Sequence, residues 1–423
     1  MQGHPAVSDL VAINSKCPRC SLCKFPPLSV VSSQRFSSIC PSYREYKFHS
    51  HSGGGRVVMA LSHEAGRAEL SPEARSALFA CALCGGCDMA CKYSSDIEVL
   101  AMHYAFRAQS FEKLGPFPAH EGLLSGFERK GHFLQEEGKK SDWAKEVGLS
   151  AATQSENLLF VGERYALFPE RRKSIQNLAR LLAAAKIPFR LLQDEEPSLA
   201  GGLLAVGDRK RFSRHAMEAV SALRKANSRR VVFADPADLA VFRSQVPRSV
   251  STEGIESVSA VELLLRAVQK KKLRFKKLPA QKVAWHDPCG LGRLSEPYVA
   301  WSGEIKKVMG QVVIYDPPRP VNRGAGGCYD APREILRKIP GLAPAEFHRK
   351  REYAFCCGGA PEASAGNDEL MKNTAADRVE EALDVKADTI ATACPQCERN
   401  LSAAARGRLQ VRDLYDIMAE ALA

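Results

Sequence analysis

"TIATACPQCERNL", residues 389–401, has a near twin earlier in the chain, "VVFADPADLAVFR", residues 231–243. Each reads as a short apolar strand running into a proline. Laid side by side, Asp235 falls on Cys394, Pro236 on Pro395 and Asp238 on Cys397. Counting back from these anchors sets Pro197 and Ser198 against Cys356 and Cys357, and Glu163 against Cys289. The chain therefore holds a tandem repeat. Its second copy carries sulfur where its first copy carries hard oxygen groups or none.

The surroundings keep the same rhythm in both copies. "NLLFVGE", "PFRLLQD" and "RRVVFAD" alternate with the helical stretches "RRKSIQNLARLLAAAKI" and "RFSRHAMEAVSALRKA". "KVAWHDPC" and "DTIATACPQC" alternate with "APREILRKIPGL" and "TAADRVEEALDVKA". Strand and helix in alternation predict α/β units. Glu163, Asp235 and Asp238 suit a soft iron–sulfur site poorly, so copy one reads as scaffold, with a hard-metal site as the alternative.

The 423 residues are enough for two or three domains, and the composition is that of a globular protein, 45% hydrophobic and 26% charged. No apolar run is long enough to cross a bilayer. The start, "MQGHPAVSDLV", lacks the basic and apolar regions of a signal peptide. A cytoplasmic chain is expected, peripheral to the inner membrane at most through a partner. The net charge of +12 suits an acidic partner, and no nucleic-acid signature appears. The densest basic run, Lys270 to Lys277, reads as a solvated linker.

Fourteen cysteines in such a chain argue for metal or redox work. Eight precede residue 92 and six follow residue 288. "CALCGGCDMAC", residues 81–91, has the C-x2-C-x2-C-x3-C spacing of a four-iron cluster, whereas structural zinc prefers two separated pairs. "CPRCSLC", residues 17–23, repeats the start of that pattern, and Cys40 follows late with a proline behind it. Two [4Fe-4S] clusters result. If the fourth ligands cross, one is held by Cys17, Cys20, Cys23 and Cys91, the other by Cys81, Cys84, Cys87 and Cys40. Without crossing, Cys40 and Cys91 change places. Ser71 and Pro72 open a helix before the second run, and a longer helix follows Cys91. Gly53 to Gly55 reads as a turn, because no phosphate-loop lysine and serine follow.

"HDPC", "CCGG" and "CPQC" together resemble the cysteine-rich CCG domain of heterodisulfide reductase, and the whole arrangement is similar to the D subunit of that enzyme. The resemblance implies an α+β multidomain fold. Residues 1–150 would form a helical bis-[4Fe-4S] ferredoxin-type domain. Residues 151–278 would form a degenerate CCG-type α/β repeat, and residues 279–423 a CCG-type repeat with cluster ligands. It implies a third [4Fe-4S] cluster, cubane or non-cubane, on Cys289, Cys356, Cys357, Cys394 and Cys397. The gap between Cys289 and Cys356 exceeds the family's, which implies an insertion near 292–327. Cys328 follows that insertion and reads as a further ligand or a redox-active thiol, with a buried structural thiol as the alternative. His286, with Asp287 just before Cys289, reads as a proton donor for thiol or disulfide chemistry, or as a plain hydrogen-bonding residue in the strand-end loop.

The expected function is that of an iron–sulfur electron-transfer subunit of an anaerobic redox complex. It would pass electrons between a flavoprotein or ferredoxin partner and the C-terminal cluster, as in the heterodisulfide-reductase-like module of class II benzoyl-CoA reductase. Catalytic thiol–disulfide reduction and a purely assembling role are the competing readings. No flavin fingerprint is present, so any flavin belongs to a partner, and any quinone chemistry to a membrane subunit.

Overall fold

A computed structural model describes residues 3–149, 154–309 and 312–423. The N-terminal part is helical. Ser71 caps the helix Pro72–Phe79, its hydroxyl accepting from the Ala74 amide at 3.3 Å. Helices Gly86–Ser95 and Val99–Leu114 follow the second cysteine run.

The Gly53–Gly55 stretch is not a turn. It opens the helix Gly53–Glu64, capped by Ser52, whose hydroxyl accepts from the Gly55 amide at 3.1 Å. Glycine disfavours helix by propensity, but here space decides. A Cβ on Gly53 would lie 2.8 Å from Cys87 Cβ, one on Gly54 3.2 Å from Cys23 Sγ, and one on Gly55 1.8 Å from the His49 carbonyl oxygen. The bare helix start is thereby wedged between the two cysteine runs.

Two small parallel sheets follow. In the first, β1 (Asn157–Phe160), β2 (Arg230–Phe233) and β3 (Glu256–Ser259) lie in that order. In the second, the order is β7 (Leu342–Ala345), β4 (Gln281–Trp285), β8 (Thr389–Thr392), β9 (Gln410–Asp413). The orders correspond, with β1 matching β4, β2 matching β8 and β3 matching β9. The counterpart of β7, expected around "PFRLLQD", shrinks to one bridge between Leu158 and Arg190. Asp235 caps the helix after β2 and Cys394 caps the helix after β8, so the sequence twins occupy the same place in the two sheets.

The copies share one hydrophobic core that includes Leu159, Phe233, Val283, Trp285 and Met418. Across it, helix Arg172–Ala184 packs on helix Leu414–Ala421, and Ser174 and Asn177 both donate to the Asp416 carboxylate. The insertion stands outside the parallel sheets as an antiparallel hairpin, β5 (Glu304–Val308) and β6 (Val312–Asp316). Its base is tied to the N-terminal helices by ion pairs from Arg319 to Glu98 and from Arg323 to Asp96. Among the described residues, no helix is long and apolar enough to cross a membrane.

Candidate metal centres

Cys17, Cys20, Cys23 and Cys91 line one cavity. Cys40, Cys81, Cys84 and Cys87 line a second. This grouping is the crossed arrangement. The two loops wind alike: Arg19 and Ser21 in the first, Leu83 and Gly85 in the second, all have positive φ. These are the second and fourth positions after each leading cysteine. Left-handed residues curl a C-x2-C-x2-C run so that three sulfurs face inward. Cys20 is exposed, whereas Cys23 and Cys91 are buried and in side-chain contact.

The electrostatics of each cavity favour thiolate at some of its cysteines, Cys23 in the first and Cys81 and Cys84 in the second, while Cys91, Cys40 and Cys87 are pushed up. At the first, the Gly54 amide donates to Cys23 Sγ at 3.3 Å from a helix N-terminus. Contact with Cys91, against the opposing effect of burial, holds the Cys23 thiol below its ordinary value. At the second, burial, helped by the neighbouring Cys81 and Cys84 and opposed by Arg56, pushes Cys40 up to about 12. Burial would raise Cys81 too, but Arg56, His103 and Arg107 bring it down to about 5. Arg56 and Arg107 are fully buried and donate chiefly to carbonyl oxygens, Arg56 to Ala77 at 2.7 Å and Arg107 to Ala205 at 2.8 Å. Neither is paired with a carboxylate. Buried cations of this kind need an anionic neighbour, which a thiolate-bound cluster provides. Two four-thiol cavities, amide donors aimed at sulfur, and a glycine cradle that a Cβ would fill together fit iron–sulfur clusters.

The adjacent pair Cys356–Cys357 makes contacts on two sides. Cys356 touches Cys84, and Cys357 touches Cys397. The two sulfurs also contact each other, so one dipeptide links the second cavity to the C-terminal group. Gly358 and Gly359 follow at φ 108° and 83°. A Cβ on Gly358 would lie 2.6 Å from the Met371 carbonyl oxygen and one on Gly359 2.9 Å from Ala82 Cβ, so glycine permits the turn to press on the Cys81–Cys84 loop. Cys394 Sγ accepts from the Cys397 amide at 3.5 Å. Cys289 is pushed up to about 12 by burial, with Cys357, Cys84 and Cys394 among the charges acting on it. The five cysteines therefore converge beyond the ends of β4 and β8, where open α/β sheets gather ligands.

His286 joins them: one ring nitrogen, Cys357 Sγ and Cys397 Sγ all lie within 4.8 Å of one another. Several residues at these centres escaped the sequence reading. Arg378 donates to His286, Asn400 donates to the Cys357 carbonyl oxygen at 3.2 Å and lies 3.8 Å from its sulfur, and Arg56 and His103 flank Cys81. Asn400 was discoverable, because it stands one helical turn after Cys397. The others come from distant segments.

Cys328 stands apart, against the expectation of ligation. Its thiol packs on the large core, burial pushes it up, and its charged neighbours are Glu262, Arg243, Asp287 and Asp330, none of them a cysteine. The chain leaving the hairpin passes behind the loop after β4, and the Cys328 amide bonds the Leu291 carbonyl there.

In the first copy, Arg164 fills the place equivalent to the cysteine site. It pairs with Asp235 at 3.8 Å and with Glu362 of the second copy. Glu196 accepts from the Val161 and Gly162 amides at 2.8 and 2.9 Å. Glu163 lies 3.7 Å from Lys140. Among the described residues these acids do not converge to metal-ligand distance, and His286, Cys357 and Cys397 are the group that does.

Comparison with known proteins follows the same lines. Residues 13–95 match the 4Fe-4S dicluster domain family, and residues 319–402 match the Cysteine-rich domain family named CCG. The second match begins beyond Cys289 and the hairpin. The D subunit of the dihydromethanophenazine:CoB–CoM heterodisulfide reductase of Methanosarcina mazei is 26% identical over 96% of this chain and 93% of its own length. The protein of the same name from Methanosarcina acetivorans is 25% identical over the same shares. The chain is a homologue of the heterodisulfide reductase D subunit. This D-subunit homologue is also 26% identical, over 63% of its length, to the "Probable iron-sulfur-binding oxidoreductase FadF" of Bacillus subtilis, of which it covers 34%. It is an iron–sulfur oxidoreductase subunit related to electron-transfer proteins.

Proposed function

We propose that the D-subunit homologue is the electron-transferring iron–sulfur subunit of a cytoplasmic redox complex, with three four-iron clusters in a row. Cys17, Cys20, Cys23 and Cys91 would hold the first, Cys40, Cys81, Cys84 and Cys87 the second. Cys289, Cys356, Cys357, Cys394 and Cys397 would hold the third. Bound clusters supply reversible one-electron transfer. The observation that carries this reading is the contact between Cys84 and Cys356. It joins a second-cavity thiol to the C-terminal group with no intervening side chain. At the other end, Cys20 is exposed, which suits exchange with a flavoprotein or ferredoxin partner. Arg56 and Arg107, and Arg293, which is buried beside Cys84, Cys289 and Cys356, hold the positive charge that the thiolates would balance.

The test is iron and acid-labile sulfide per chain on anaerobically purified protein, with EPR of reduced and oxidised samples. About twelve irons support the reading, and about eight remove the C-terminal cluster from it. Cys356→Ser and Cys397→Ser should each take the count from about twelve to about eight.

A second reading, thiol–disulfide reduction at the C-terminal group, is favoured by His286 at Cys357 and Cys397. There a substrate disulfide would take up two electrons and two protons as its S–S bond breaks to give two thiols, with clusters held by the N-terminal cysteines as the source of the electrons. An oxidised-state EPR signal that shifts on adding thiol would favour it over simple conduction.

A further inference from the structure

At the junction of the N-terminal helices with both repeats lies a cleft of about 90 Å³. His4, Tyr104, Arg209, Arg248 and Leu294 line it. Its charges do not balance. The acids on its walls are committed elsewhere: Asp88 and Glu98 hold Lys92 at 2.8 and 3.0 Å, and Glu98 also holds Arg319 at 2.7 Å. Glu296 accepts from the Gly324 and Gly326 amides.

The two arginines are left without acids at ion-pair distance among the described residues. Arg209 Nε and Nη2 are buried with no hydrogen-bond partner, and its Nη1 reaches only the His4 carbonyl at 3.4 Å. Arg248 donates from Nε to the Ser244 carbonyl at 3.1 Å and stacks on Tyr298, 4.2 Å from the ring centre. Burial brings Arg209 down to about 10, and Arg248 repels it further, while Glu112 and Asp9 only partly compensate. His4 is held at about 3 by burial and by both arginines, so it adds no charge of its own but remains a hydrogen-bonding group. Two half-buried guanidiniums that face one cleft with no carboxylate at ion-pair distance from either favour an anion between them.

We propose that this cleft binds a small organic anion, a carboxylate, sulfonate or phosphate seated between Arg209 and Arg248. The space holds a few waters or one such head group. Leu100, Ala101 and Leu294 give the inner wall an apolar side for a short tail. The inner end is Tyr104, whose hydroxyl is buried and feels both Cys289 and Cys81. A ligand here would therefore sit beside the second and C-terminal cysteine groups, although its recognition does not depend on any cluster being present.

The test is calorimetric titration of the full-length, anaerobically purified protein with butane-1-sulfonate, butyrate and inorganic phosphate in low-chloride buffer. Saturable binding of at least one is expected, weakened about tenfold in Arg209→Gln and further in the Arg209→Gln/Arg248→Gln variant. The exposed Lys47→Gln variant should bind as the parent does. Comparing the three anions tells sulfonate, carboxylate and phosphate recognition apart. Because Arg209 variants could fold poorly, thermal unfolding supplies a second readout. The binding anion should raise the parent's Tm in a concentration-dependent way, and Arg248→Gln should lose that rise. No saturable binding by any of the three, or equal binding in the double variant, overturns the proposal.

Discussion

Nε of Arg378 donates to Nδ1 of His286 at 3.1 Å. Arg378 is itself fixed, its Nη1 donating to the Arg349 carbonyl at 2.9 Å and to Glu381 at 2.7 Å. Arginine offers no lone pair, so Nδ1 must accept and the neutral ring carries its proton on Nε2. Burial, with Arg378 acting against the nearby thiols, holds the imidazole below its ordinary value and so in that neutral form. The nitrogen left to face Cys357 and Cys397 is a donor, not a metal ligand.

The consequence is electrochemical. A donor to thiolate sulfur stabilises the reduced cluster. His286→Leu should lower the midpoint potential of the C-terminal cluster by on the order of 40 mV, the equivalent of one hydrogen bond of about 1 kcal/mol. The N-terminal signals should stay where they are. Arg378→Gln should move the potential the same way by releasing the tautomer. Potentiometric EPR measures both, and an unmoved potential would remove His286 from this role.

The glycine wedge separates the first two centres. Gly54→Ala sets a Cβ 3.2 Å from Cys23 Sγ, whereas Gly53→Ala sets one 2.9 Å from Cys87 Sγ. Each should cost about four irons, from the first centre and the second respectively. Iron counts with EPR of the remaining clusters distinguish them. Gly55→Ala meets backbone instead and should prevent the helix Gly53–Glu64 from forming in place.

Arg164 is expected to serve stability rather than chemistry. Arg164→Gln leaves Asp235 and Glu362 buried without their cation and should destabilise by about 3 kcal/mol. Iron content should not change. Urea unfolding read beside iron analysis checks both halves, and loss of iron would mean that the first copy supports the clusters directly.

His120 gives the fold an acid sensitivity. It is fully buried against Phe79 and Phe117, and burial, with Arg107, holds it at about 3. The unfolded chain binds its proton near the ordinary value of about 6.5, so this stability is present above that pH and falls as pH drops from there toward 3. The slope approaches about 1.4 kcal/mol per pH unit. His120→Phe keeps the aromatic packing and should flatten the dependence between pH 6.5 and 5. Unfolding midpoints of parent and variant across that range measure the difference.

Much of this architecture is written locally. The C-x2-C-x2-C runs carry their own winding instructions, since left-handed positions two and four residues after Cys17 and Cys81 curl each loop from within. The twin windows at Asp235 and Cys394 declared the repeat because a strand followed by a capped, proline-opened helix is a short-range pattern. The pairing of Cys91 with the first run and Cys40 with the second needed only the arithmetic of eight cysteines to be one of two choices.

What the sequence determined by itself, then, is the inventory: which thiols exist, how each loop bends, and that one copy kept sulfur while the other did not. The tertiary structure decided how the inventory meets. Gly53 to Gly55 read as a turn because propensity is local, yet they form a helix because bare glycines are what fits against Cys87, Cys23 and the His49 carbonyl. Cys328 looked like a ligand by its neighbours in the chain and is turned onto the core by the path of the hairpin. Arg378 orients His286 from 92 positions away, and Cys84 meets Cys356 across the domains. No periodicity encodes such contacts, because they depend on the packing of surfaces that come together only when the whole chain has folded.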